Sequence, residues 1–203
     1  MERDEGAPLS QSAEAVLAAV QRSTEALRAE MDALIEEQNV LAHMFVAADR
    51  LSRARSPREG IDVAVEVLHN LVGVHRYAIW LRASSESAPR VVAPADPRWR
   101  ATESPDDLVT RGFASVSPVR GKGSIPVAFP LVLDGTPVGV IEIREMVPQV
   151  DNLGRLQEDL LVFLSERLAS AMVQAGLAAK HGLNSAWAQV ADSIDPVEKG
   201  HIR

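Results

Sequence analysis

The stretch "SIPVAFPLVLDGTPVGVIEIRE", residues 124–145, decides the fold. Two apolar, β-branched runs flank Asp134-Gly135, a dipeptide that readily supplies the two positive-φ positions of a two-residue hairpin turn. Counting back from that turn predicts Leu131 opposite Val138, Phe129 opposite Val140 and Val127 opposite Glu142, with Ala128, Pro130, Gly139 and Ile141 on the other face. The small face accepts a closely packed helix. The bulky face with Phe129 needs a cover, and the connection over residues 96–112 is the loop of sufficient size.

Upstream, "HRYAIWLR" (75–82) and "RVVAPA" (90–95) read as two strands across a polar turn, and "FASVSPV" (113–119) as a third, giving a sheet of about five strands. Ser104, Pro105 and Asp107 form a capping pattern for a short helix inside the 96–112 connection, with Gly112 as its stop. Ser56, Pro57 and Glu59 repeat that start signal for a helix whose apolar positions are Ile61, Val65, Leu68 and Val72 and whose stop is Gly73 in a left-handed turn. The clustered arginines of "RLSRARSPREG" (50–60) read as a solvated helix end rather than a phosphate site, because cations complement a helix C-terminus.

Residues 13–55 predict one long helix. Leu17, Thr24, Met31, Gln38 and Phe45 form an a series, and Val20, Leu27, Leu34, Leu41 and Ala48 a d series, through more than four heptads. Thr24 and Gln38 weaken a two-stranded coil but fix its register, while Val16, Ile35, Ala42 and Met44 widen the apolar stripe. After the hairpin, Leu153, Leu156, Leu160, Leu164, Leu168, Ala171 and Ala175 share one face of a C-terminal helix expected to pair with the first. The expected organisation is a disordered N-terminus (1–12), the long helix (13–55), one α+β domain (56–180) and a flexible tail (181–203) unless Trp187 docks.

Composition narrows the function. The 203 residues are 46% hydrophobic and 24% charged, enough for one core and against global disorder. A formal charge of −7 disfavours nucleic acid as a partner. The absence of Cys removes disulfides, thiolate metal sites and cysteine nucleophiles. His43, His69, His75, His181 and His201 are scattered without ligand spacing, so no metal or other cofactor is expected, and no phosphate cradle or nucleophile elbow supports an enzyme. No apolar run reaches the roughly 20 residues of a membrane span and "MERDEG" is acidic, so a cytoplasmic location without membrane insertion is expected.

The phrases "VAVEVLHNLVGVHRYAIWL", "DDLVTRGFASVSPV" and "SIPVAFPLVLDGTPVGVIEIRE", followed by "GRLQEDLLVFLSERLASAM", resemble the GAF family of small-molecule sensing and dimerisation domains over roughly residues 40–178. The resemblance implies a twisted antiparallel sheet with helices on one face, a ligand pocket on the other, and flanking helices that join two chains in a parallel bundle. The family's bilin-binding and methionine sulfoxide reductase branches need a Cys that this chain lacks, and its cyclic nucleotide signature is not recognisable here.

Around the expected pocket, Trp80, Trp99 and Phe129 are candidate aromatic walls, with Arg98, Arg100 and Glu142 as candidate polar contacts. Glu142 needs a partner on its otherwise apolar face, and Arg76, Arg98 or Arg100 is the expected donor. The expected dimer interface comprises Leu17, Val20, Leu27, Met31, Leu34, Leu41 and Phe45, with Leu160, Leu164 and Leu168. Two functions follow: a homodimeric, non-catalytic sensor that couples a small ligand or a protein signalling partner to its flanking helices, or a ligand-free adaptor in which fold and coiled coil serve dimerisation and protein binding. A cavity beneath residues 96–112 points to the sensor; side chains filling that space point to the adaptor.

Overall fold

A computed structural model of the chain describes residues 7–100, 104–123, 125–150, 152–176, 187 and 190–194. Its elements are α1 (Ala7–Arg53), α2 (Pro57–Val67), β1 (Val74–Leu81), β2 (Arg90–Ala93), α3 (Asp107–Phe113), β3 (Val119–Arg120), β4 (Val127–Leu133), β5 (Thr136–Met146) and α4 (Arg155–Gly176). The chain divides into two units, Met1–Leu41 and Ala42–Arg203. The first consists of α1 as far as Leu41, and the rest of that helix belongs to the second; α1 begins at Ala7 rather than at residue 13, and Pro8 falls in its first turn, where a missing amide costs nothing.

The second unit is α+β, built on a five-stranded antiparallel sheet in the order β2-β1-β5-β4-β3. Local chemistry sets its boundaries. Ser56 caps α2 by accepting from the Glu59 amide, Pro57 opens the helix, and a π-helical turn over Leu68–Val72 ends on Gly73 at φ 76°. The hairpin turn puts Asp134 at φ 49° and Gly135 at φ 74°, the left-handed pair that the dipeptide supplies.

The hairpin register differs from the one counted from the turn. Leu133 pairs Thr136 and Val132 pairs Pro137 as counted, but a shift after Val132 puts Leu131 opposite Gly139, Phe129 opposite Ile141, Ala128 opposite Glu142 and Val127 opposite Ile143. The extra residue lies in β5, a bulge that sequence alternation does not announce. Its consequence is an exchange of faces. Phe129, with Leu131, Ile141 and Ile143, joins the core that contains Leu160, Leu164 and Leu168 of α4 and Ile61, Ala64 and Leu68. Glu142 instead shares the opposite face with Ala78, Trp80, Ala128 and Val140, and it is this smaller face that α3 covers.

Three further expectations change. The cap of α3 is Asp106, not Ser104, because its carboxylate reaches the amides of Leu108 (3.0 Å) and Val109 (3.2 Å). Gly112 lies inside α3 rather than ending it; a Cβ there would sit 3.1–3.2 Å from Val140 and Ala128, so the glycine permits close packing on the sheet. The strand expected over 113–119 shrinks to Val119–Arg120, since Phe113 closes α3.

Most of the expected tail, 181–203, lies outside the described residues, as do residues 1–6. Within it, Trp187, Val190, Ala191 and Ile194 recur at helical spacing and are buried in the main core. The Trp187 indole donates to the Arg82 carbonyl at 2.9 Å, and Arg90 donates to the Ala191 carbonyl. The Arg82 guanidinium in turn donates to the carbonyls of Phe113 (3.2 Å) and Pro137 (3.0 Å) and lies 4.6 Å from the centre of the Phe113 ring. One arginine thereby links the end of α3, the hairpin and the docked tryptophan.

Gly139 tests the register. A Cβ there would meet Leu131 at 2.7 Å, Leu81 at 2.8 Å and the Trp80 carbonyl oxygen at 2.8 Å. Gly139→Ala is expected to cost about 1–3 kcal/mol by overpacking, read as a lower urea midpoint with an unchanged slope.

Candidate functional site

The structure brings together some of the residues singled out in the sequence and separates others. Trp80 and Glu142 meet: the indole donates to one carboxylate oxygen at 2.9 Å, and Glu142 has no exposed surface. One guanidinium beside it comes from Arg144, two residues along the same strand and so on the same face. Arg144 donates to the other Glu142 oxygen at 2.5 Å and also to Asp106, so one cation joins the cap of α3 to the buried carboxylate. The spacing Glu142-x-Arg144 in an alternating strand was the available signal for this pair.

Arg100 is nearly buried, forms an isolated bridge with Tyr77, and has its carbonyl held by Arg76 at 3.2–3.3 Å. Arg98 turns outward to an ion pair with Asp96 at 2.6 Å, which lowers the Asp96 pKa to about 2. Trp99 stands edge-on to two imidazoles, His69 at 4.9 Å and His75 at 5.0 Å, while Tyr77 and His69 share a 3.1 Å hydrogen bond. Phe129 is on the opposite side of the sheet, in the helix-covered core. The six candidates therefore do not line one pocket.

Space beneath α3 is occupied by the protein's own side chains. Trp80, Leu108, Val109, Phe113, Ala128 and Val140 pack into one cluster there. Clefts of about 360 and 440 Å³ lie elsewhere, one where α1 meets α2 and one at the outer side of β4. Among the described residues no group of three or more His, Asp or Glu side chains is placed to hold a metal ion. No described helix is long and apolar enough to cross a membrane.

The expected dimer residues split in the same way. Leu17, Val20, Leu27, Met31, Leu34, Leu41 and Phe45 are 56–74% exposed on α1. Leu160, Leu164 and Leu168 are at most 2% exposed and already packed within their own chain, so they are core residues and not a dimer surface. The same periodicity marks a helix that faces a partner and one that faces its own sheet, and only burial separates them.

Two results are expected from this geometry. Arg144→Ala takes one cation from the buried Glu142 and the tether from the α3 cap, at a cost of about 2–4 kcal/mol in urea denaturation, at or below the usual loss for a broken buried pair because Arg144 remains partly exposed. His69 gives a pH effect. Burial and the nearby His75 lower its pKa, while a backbone hydrogen bond with Val74 opposes them, so the fold favours the neutral ring. Below the unfolded value of about 6.5 the unfolded chain binds the proton first. The contribution is present above that pH and is lost as pH falls through it towards the lower folded value. The urea midpoint is expected to fall from pH 7.5 to 5.5, and to fall less in His69→Phe.

No family model and no curated protein matches the sequence. Solved structures do match in fold. The GAF domain of an Acinetobacter phosphoenolpyruvate-protein phosphotransferase is 14% identical, with 66% of this chain and 93% of that one covered and a TM-score of 0.53. Residues 122 to 287 of a methyl-accepting chemotaxis protein are 17% identical, covering 66% and 98%, with a TM-score of 0.50. The native GAF domain of the Escherichia coli potassium sensor histidine kinase is 14% identical, covering 66% and 92%, at 0.48. At these identities the likeness is one of fold, and it agrees with the sheet order and flanking helices described above: the chain has the fold of a GAF domain.

Proposed function

We propose that this chain is a non-catalytic regulatory module that works as a parallel homodimer through α1. The observation that carries this reading is the row of apolar a and d residues left exposed on a 47-residue helix. An uncovered stripe of that length is far larger than scattered surface leucines require. A second copy of the same helix buries it with matching spacing.

The polar seam residues favour the parallel arrangement. In parallel register, Gln38 faces Gln38 and Thr24 faces Thr24, so each buried polar group meets another. An antiparallel pair at full overlap sets Gln38 against Leu27 and Thr24 against Leu41, and brings Glu30 beside Glu37 at the flanking positions. The second arrangement leaves polar groups unpaired and like charges adjacent, both unfavourable.

The solved structures of similar fold belong to a phosphotransferase and a chemotaxis protein, and a regulatory or signalling role fits that company. Between sensor and adaptor, the packing beneath α3 favours the adaptor, in which the domain and its helix bind proteins rather than a small molecule. The sensor reading keeps one specific support, the buried Glu142 with its Trp80 and Arg144 contacts, a polar set beneath a short helix.

Native mass spectrometry of protein purified from its own cells is expected to show a dimer without bound small-molecule mass; a stoichiometric ligand would restore the sensor. Leu34→Asp or Leu41→Asp, which place charge in the seam, are expected to give monomers by light scattering with the circular dichroism of the domain retained. Dimers in both variants would remove α1 as the interface.

A further inference from the structure

The outer edge of β4 is open for most of its length. β3 has two residues, which pair with Val127 and Ala128, and beyond them β4 continues to Leu133 with no strand on that side among the described residues. The direction of its main-chain groups follows from the turn. Leu133 and Thr136 flank a two-residue hairpin loop and address each other, so Leu133 and Leu131 point their amides and carbonyls at β5, while Val132 and Pro130 point theirs outward. The Gly121 amide, which donates to the Pro126 carbonyl at 2.7 Å, shows the same alternation on the same edge.

This edge forms the floor of the 440 Å³ cleft. Val162, Ser165 and Glu166 of α4 bound it on one side, and Val116–Pro118 on the other. Val116 is 61% exposed and is the one large apolar side chain so exposed outside α1 among the described residues. Two carboxylates, Asp134 and Glu166, stand at the rim, and neither makes an ion pair with a described residue. A strand edge, apolar contacts on both of its sides and uncompensated negative charge occur here in one place.

We infer that the β4 edge is a docking groove for an extended peptide segment of a partner protein, one that alternates small apolar residues with lysine or arginine. The added segment would hydrogen-bond to the Val132 amide and carbonyl and to the Pro130 carbonyl, place apolar side chains against Val116 and Val162, and set its cations near Asp134 and Glu166. Pro130 supplies no outward amide, which shortens the usable edge and limits unselective sheet growth. The groove lies on a different element from the α1 seam. It deepens the adaptor reading by naming the chemistry of a bound partner, and its failure leaves the α1 dimer untouched, because dimerisation is measured separately.

The test uses the full chain with two capped octapeptides, Lys-Val-Thr-Val-Lys-Val-Thr-Lys and the same sequence with glutamate in place of lysine. Titration of the lysine peptide is expected to shift amide resonances of residues 116, 117, 129, 131–133 and 162–166 in a saturable way, with the glutamate peptide at least tenfold weaker. Glu166→Lys, an exposed change on α4, is expected to weaken the lysine peptide at least tenfold and to strengthen the glutamate peptide, while light scattering reports the same oligomer. Absence of shifts in those segments, equal response to both peptides, or indifference to Glu166→Lys overturns the proposal. Concentration-dependent shifts of the same amides without peptide overturn it too, since they assign the edge to a second copy of the chain.

Discussion

The fold turns on a single extra residue in β5. Without it the hairpin would carry Val127, Phe129 and Leu131 on the same side as Glu142; with it the bulky residues face α4 and the carboxylate faces α3. Side-chain alternation has period two, so one bulge reverses the assignment of a whole strand beyond it. Every later property of the second unit follows from that division. The large face builds the main core with α4 and the helix after Ser56, and the small face admits a seven-residue helix whose Gly112 touches the sheet directly.

What the sequence made legible was local. Ser56-Pro57 with Glu59, Gly73 and Asp134-Gly135 each act through a backbone need that neighbouring residues cannot change, and all three sit where their chemistry places them. The order of elements was readable for the same reason, and it led to the GAF resemblance that the fold comparison supports. The register was not readable, because a bulge leaves no composition of its own. Nor was the Asp106 cap separable from Ser104, since both types cap helices and only the amides of Leu108 and Val109 distinguish them.

The candidate pocket fared differently from the fold. Trp80 and Glu142 meet beneath α3, whereas Phe129 lies on the other side of the sheet, Trp99 in a cluster with two histidines and Arg98 towards solvent. Arg144 needs no long-range contact to reach Glu142, because strand alternation alone puts it on the same face. Long-range packing explains two further placements. Leu160, Leu164 and Leu168 repeat like a coiled-coil seam but serve the sheet, and Trp187, whose docking the sequence left open, reaches the Arg82 carbonyl.

The resulting molecule has a filled domain and an unfilled helix. Its own side chains satisfy the α3 face, while α1 presents an apolar row whose polar interruptions match only their own counterparts in parallel. Because the chain contains no Cys, one substitution gives an unambiguous readout of that arrangement. In the Leu27→Cys variant, mild oxidation should yield a covalent dimer, as position 27 meets itself in a parallel seam. Leu27→Cys that stays uncross-linked under the same oxidation, but cross-links when combined with Gln38→Cys, would contradict the parallel account and establish the antiparallel one.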